Sequence, residues 1–211
     1  MPTVLLTGFE PFAGDAVNPS GDAVRAVADR WTGSERLIVD VLPVTFDGAT
    51  ARLAALLDEY RPDVVIATGL AGGRDAVTPE RIAVNLADAT IADNAGHRPQ
   101  DAPVVDGGPA AYFATLPVKA ISAGLVAGGI RSTVSHTAGT FVCNAVMYAA
   151  LHATTGTPVR AGFVHVPWAS GTGPEGTPSL PLEQIVDALE TVIRVSLASD
   201  GDLDAPGGTV S

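Results

Sequence analysis

The run LIVDVLPVTFDGATARLAALLDEYRPDVVIAT, residues 37–68, decides how the rest of the chain is read. Leu37 to Val44 has the apolar, β-branched composition of a strand. From Phe46 to Tyr60, the residues Ala51, Leu53, Ala54, Leu56 and Leu57 recur at the spacing of an amphipathic helix. Pro62-Asp63 ends that helix. Val64-Val65-Ile66-Ala67-Thr68 then forms a continuous apolar run, the pattern of a strand covered on both faces. Strand, helix and strand in this order predict an α/β domain with a largely parallel sheet. Such sheets bind their ligands beyond the carboxyl ends of the strands.

The alternation extends in both directions. Thr3 to Thr7 is a strand, stopped by a loop from Gly8 to Gly14 that carries Phe9 and Phe12. Aromatic side chains in a loop either anchor it on the core or form the walls of a flat apolar slot. Asn18-Pro19-Ser20 opens a helix over Asp22 to Trp31, with Ser20 as the expected N-cap. Asn18 either holds the turn or presents its amide to the slot. The turn Gly69-Leu70-Ala71-Gly72-Gly73-Arg74 has neither the Gly-Lys-Ser/Thr ending of a phosphate loop nor the dinucleotide spacing. Its glycines are read as admitting a ligand or a tight crossing of chains. Thr78 to Leu86 reads as a strand with Glu80 close to its start. Ala87 to Gly108 is polar and long for a connection in one domain, so it is expected to cover the site or to contact another subunit. Helices are predicted over Pro117–Ala127, about Thr140–His152 and Pro181–Ser196, and strands over Arg131–Ser135 and Val159–Trp168. The domain is expected to span 1–198, with 199–211 a flexible tail in which Gly, Asp and Pro replace any periodicity.

Composition narrows the function classes. The chain has 211 residues, 46% of them apolar and 17% charged, enough for one domain with a full core. A formal net charge of −11 argues against a nucleic-acid surface, which would show basic patches. The single cysteine, Cys143, rules out an intramolecular disulfide and fits a reducing compartment. The first residues lack the basic region and long apolar run of a signal peptide, and no segment approaches the roughly 18 apolar residues of a membrane helix. A cytoplasmic protein without membrane or nucleic-acid partners is expected.

Cys143 is either a small core residue or a nucleophile. Ala138-Gly139 makes a tight turn before its helix, which places the thiol in the first helical turn. Unpaired N–H groups and the macrodipole there favour a thiolate, so a thiol pKa lowered toward neutrality is expected. A catalytic thiol needs a histidine within hydrogen-bond reach and often a third group to orient it. His152 lies about 13 Å further along the same helix at 1.5 Å per residue and cannot serve. His97 sits in the polar loop. His136 and His165 both lie at strand ends, and the apolar flanks of His165 favour it as the more rigidly held base. For the third group, Glu80, Asp88, Asp93 and Asp106 remain open.

Gly8-Phe9-Glu10-Pro11-Phe12, Asn18-Pro19-Ser20, Gly72-Gly73-Arg74 with Glu80-Arg81, Ala138-Gly139 through Cys143-Asn144, and His165-Val166-Pro167 together resemble the pyroglutamyl peptidase I family of cysteine peptidases. The resemblance covers Val4 to about Ile193. It implies a single-domain, three-layer α/β/α sandwich with a mostly parallel, mixed sheet. It also implies removal of N-terminal pyroglutamate from peptides through a thioester, with no metal or cofactor. Cys143 would be the nucleophile, His165 the base and acid, and Glu80 the group that orients the imidazole. Phe9 and Phe12 would wall the pyrrolidone ring, with Asn18, Leu70 and Val142 as further contacts. A homo-oligomer, in tetrameric form, is implied as well, with 87–108 as a candidate contact. Four positions depart from the family pattern: Leu70 replaces a usual glutamine, Thr90 a cationic residue near the reacting carbonyl, His136 an asparagine and Phe141 a tyrosine. Leu70 and Thr90 open the alternative of a catalytically weak relative that binds pyroglutamyl-like ligands.

Overall fold

The structure, a computed structural model, describes residues 1–199 and 201–208. In chain order the elements begin β1 (Thr3–Phe9), α1 (Pro19–Arg30), β2 (Arg36–Leu42), α2 (Phe46–Tyr60), β3 (Val64–Leu70), β4 (Thr78–Pro79), β5 (Ile82–Val84) and β6 (Ala111–Phe113). They continue with α3 (Val118–Ala127), α4 (Val142–Thr154), β7 (Arg160–Val166), β8 (Trp168–Ala169), β9 (Ser179–Leu180) and α5 (Leu182–Ala198). The main sheet runs β2-β1-β3-β7-β4. Its first four strands are parallel, and β4 pairs antiparallel at the edge.

Side chains alternate across the sheet with the period of a strand. Val4, Leu6, Val64, Ile66, Val164 and Val166 join one core with the apolar stripes of α1, α3 and α5. Leu5, Val65, Ala67, Ala161 and Phe163 join the other with α2 and α4. The three layers and the mixed sheet are those expected. No helix among the described residues is long and apolar enough to cross a membrane.

Three local expectations change. The run Arg131–Ser135 makes only isolated parallel bridges, Ser132 with Val77 and Ser135 with Glu80, and between them the facing residue is Pro79, which has no N–H to donate. The neighbouring segment, expected as one strand over Thr78–Leu86, breaks into β4 and β5 after the same Pro79. Glu80 sits at the break, where its side chain turns inward and is fully buried. The first helix is capped by Asn18 rather than Ser20. Asn18 Oδ1 accepts from Ser20 N at 3.1 Å, and Pro19 occupies the first turn, where its missing N–H costs nothing.

The long segment 87–108 is held by specific bonds. Asp93 is buried and accepts N–H groups from Phe46, Ala95 and His97 at 2.8–2.9 Å, which ties the segment to the start of α2. Asn94 donates to Glu10 Oε1 and to the Pro11 carbonyl, both at 3.0 Å. Of the expected tail, residues 200 and 209–211 lie outside the described residues. Asp202 accepts the N–H groups of Lys119 and Ala120 at the start of α3, each at 2.9 Å to one oxygen.

Candidate active site

The carboxyl ends of β1, β3 and β7 and the start of α4 meet around one cavity of about 410 Å³. Its wall includes Phe9, Phe12, Asn18, Leu70, Val142, Cys143 and His165, seven residues that the sequence assigned to the site. Phe9 is almost fully buried and packs on Phe163, so it anchors the loop and walls the cavity at once. Phe12 is half-buried and leans on Phe141, with ring centroids 5.1 Å apart, and Phe141 meets Phe46 edge-on at 5.2 Å. The result is a predominantly aromatic and aliphatic slot. Asn18 borders it, but its amide is engaged: Nδ2 donates to the Glu10 carbonyl at 2.9 Å and Oδ1 accepts from Ser20.

Glu80 lies behind the cavity wall. Its Oε1 is 2.7 Å from His165 Nδ1 and 2.5 Å from Arg74 Nη1. Burial opposes ionisation of Glu80, yet the bonds from His165 and Arg74 hold its pKa below the ordinary carboxylate value. An ionised carboxylate only accepts, so Nδ1 of His165 carries the hydrogen and Nε2 keeps its lone pair. Burial lowers the His165 pKa against the opposing pull of Glu80, so the ring is neutral at pH 7. A neutral imidazole with Nε2 unprotonated is a base.

Cys143 is partly exposed at the second position of α4. Phe141, the residue before the helix, places no side-chain cap on it, so the first N–H groups stay open near the thiol. Asn144 fixes the helix from the other side. Its amide exchanges bonds of 2.9 Å with both backbone groups of Val84 and donates to the Leu86 carbonyl. The lowered thiol pKa expected from the helix start is not found. Desolvation among apolar neighbours, followed by the negative charge of Glu80, pushes the Cys143 thiol up to about 12, against smaller pulls from Arg74 and its own N–H.

Gly69 adjoins both Cys143 and His165. It is the register partner of His165 across the β3–β7 pair, and a β-carbon on it would lie 2.9 Å from Cys143 Sγ. Among the described residues no hydrogen bond joins Sγ to the His165 ring, a contact that is often completed only when substrate is present.

Other expectations sort themselves by position. His136 is exposed and outside the cavity wall, His97 stands edge-on to Phe46, and the Tyr112 hydroxyl lies 2.9 Å from Nδ1 of His152. Thr90 lies outside the main cavity, in a separate hollow with Asp88 and Arg98. Leu70 lines the cavity as an apolar wall. Arg74 carried no role in the sequence reading. Beyond gripping Glu80 it donates to Thr78 and to the Thr137 carbonyl, and it reaches the cavity itself. An arginine after two glycines reads as a loop charge, and only the fold reveals its buried partner.

Comparison with known proteins bears on family and fold. The family model described as pyroglutamyl peptidase matches residues 2–199. A pyrrolidone-carboxylate peptidase of Clavibacter michiganensis is 49% identical over 213 residues, covering all of both chains. The crystal structure of pyroglutamyl peptidase I from Bacillus amyloliquefaciens superposes with a TM-score of 0.93 at 38% identity, covering 97% of this chain and 99% of that one. The pyrrolidone carboxyl peptidase of Thermococcus litoralis gives a TM-score of 0.93 at 41% identity over 98% of this chain and all of that one.

Proposed function

The chain belongs to the pyroglutamyl peptidase family, cysteine-type hydrolases that remove N-terminal pyroglutamate from peptides, and from that premise we propose that Cys143, His165 and Glu80 carry the reaction in this protein. One observation carries the assignment: Cys143 and His165 border the same apolar slot, and the buried Glu80 is 2.7 Å from the imidazole nitrogen that faces away from catalysis.

The lactam ring is flat and uncharged, which suits a slot walled by Phe9, Phe12, Phe141, Leu70 and Val142 better than a charged pocket. With the ring seated, His165 Nε2 takes the Cys143 proton as Sγ attacks the carbonyl carbon that follows the ring. The open N–H groups at the start of α4 stabilise the developing oxyanion. His165 then gives its proton to the departing amine, and a thioester remains. Water, deprotonated by the same nitrogen, hydrolyses it and frees pyroglutamate. Glu80 keeps Nδ1–H in place throughout, and Arg74 holds Glu80 ionised so that it does not take that proton.

The test is release of a fluorogenic amine from its pyroglutamyl amide under reducing conditions. Wild-type turnover is expected, with Cys143→Ala and iodoacetamide-treated protein inactive. Ligand binding without turnover would instead mark a weak relative. The proposal extends to a cytoplasmic homo-oligomer, tetrameric in form. Light scattering that finds a monomer at micromolar concentration would refute that part.

A further inference from the structure

We propose that Asp15 selects the residue that follows pyroglutamate, favouring peptides with a cationic side chain there over acidic ones. This rests on the peptidase reading above and adds a substrate preference to it.

Pyroglutamate is the first residue of its peptide, so the remainder of the substrate can extend only out of the open side of the slot. The exposed residues that line the cavity are Asp15, Thr137 and Gly139. Asp15 is the one among them that bears a charge. Arg74, the cation of the cavity wall, is already matched by the buried Glu80, and His165 is neutral. Among the described residues no cation pairs with Asp15 and no donor bonds its carboxylate. The mouth therefore presents one uncompensated negative charge to whatever leaves the slot.

The backbone fixes where that charge stands. Asp15 N donates to the Phe12 carbonyl at 3.0 Å, and both intervening residues are left-handed, Ala13 at φ 56° and Gly14 at φ 87°. A hydrogen-bonded four-residue turn with this signature keeps its end residues within about 7 Å at their α-carbons. Phe12 is a wall of the slot, so Asp15 is held beside the ring's exit rather than on a free loop. A non-glycine residue in the left-handed region is uncommon and marks a turn set by its surroundings.

At such a distance in a solvated mouth, a unit charge changes the binding of another by about three-fold in either direction at low salt, hence about ten-fold between a lysine and a glutamate. The experiment compares kcat/KM for three peptides, pyroglutamyl-Lys-Ala-amide, pyroglutamyl-Glu-Ala-amide and the neutral pyroglutamyl-Ala-Ala-amide. Each is measured at 20 mM and 500 mM ionic strength. The wild-type lysine-to-glutamate ratio should be about ten at low salt and fall toward one at high salt. Asp15→Asn should lower the low-salt ratio to about two, and Asp15→Lys should invert it. The salt series on wild type needs no folded variant. A ratio near one at low salt, or one that Asp15→Asn leaves intact, overturns the proposal. Failure to cleave even the neutral peptide overturns the peptidase reading instead, so the two failures are distinct.

Discussion

Gly69→Ala separates stability from catalysis. The backbone at Gly69 is not left-handed, so alanine meets no conformational obstacle of its own. Its β-carbon, however, would stand 2.8 Å from Phe163 Cζ and 2.9 Å from Cys143 Sγ. Real contacts of this kind are rarely below 3.4 Å. Phe163 is 1% exposed and wedged between Phe9 and His165, so its ring has little room to retreat. The thiol gives way more cheaply by rotating about its own side-chain bond. Overpacking of this size costs about 1–3 kcal/mol, and the lower end is expected because the sulfur absorbs part of the clash. Activity should suffer far more, since a nucleophile displaced by about 1 Å loses on the order of 100-fold in rate. Urea denaturation and kcat/KM on the fluorogenic amide measure the two effects. Gly73→Ala is the control: no atom lies within 4 Å of its added β-carbon, so activity within about two-fold and stability within about 0.5 kcal/mol of wild type are expected. Wild-type kcat/KM in Gly69→Ala, or equal losses in both variants, would refute the account of how the thiol is held.

Two further substitutions test the groups behind the cavity. Glu80→Gln keeps the size of the side chain but removes the charge that fixes His165 as the Nδ1–H tautomer, so kcat should fall on the order of 10²–10⁴-fold with KM little changed; a loss confined to KM would contradict the orienting role. Asp93→Ala leaves three N–H groups short of an acceptor, that of Phe46 buried and those of Ala95 and His97 within reach of water, and should cost about 1–2 kcal/mol at pH 7 by urea denaturation. Desolvation raises the Asp93 pKa, but its backbone bonds outweigh that and lower it, so its stabilisation is complete above the unfolded value of about 3.9 and is lost as pH falls through the folded value. The deficit of the variant should therefore shrink below about pH 4, and a constant deficit down to pH 2 would show that charge is not what Asp93 contributes.

Much of the architecture is legible in the sequence because two periodicities dominate it. β1, β3 and β7 are apolar on both faces, and the helices between them carry a single apolar stripe, so order and layering follow. What stays hidden depends on partners distant in sequence. The β-branched run at 131–135 has a strand's composition, but composition says nothing of which residues face it, and Pro79 opposite cannot complete the ladder. Asn18 and Ser20 are both good caps two residues apart, and only the position of Pro19 in the first turn decides between them. In the site, Phe9, Phe12 and Cys143 each carried a core reading beside the functional one, and Leu70 and Val142 entered only through the resemblance. Glu80 was one of four open carboxylates until the resemblance singled it out, and no local pattern near Arg74 or Asp15 announces what each faces.

The ionisation of Cys143 shows most clearly why a local rule can mislead. A helix N-terminus favours a nearby negative charge by about 0.3–1 kcal/mol, and by more only in favourable, partly buried geometries. A thiol raised from an ordinary value of 9.0 to about 12 has lost on the order of 4 kcal/mol of anion stability, so desolvation outweighs the dipole. The buried Glu80 adds to the rise, since the carboxylate that orients the base also repels a thiolate. The direction of that rise favours a neutral thiol beside a neutral imidazole over a preformed thiolate–imidazolium pair. In the mechanism proposed above, His165, kept neutral by burial, accepts the proton as the carbon–sulfur bond forms, and the negative charge passes to the carbonyl oxygen. The open N–H groups of α4 then act on that oxygen rather than on sulfur. On that proposal the helix mouth would serve the transition state, where an interaction accelerates the reaction, and not the ground state, where it would only stabilise the resting enzyme.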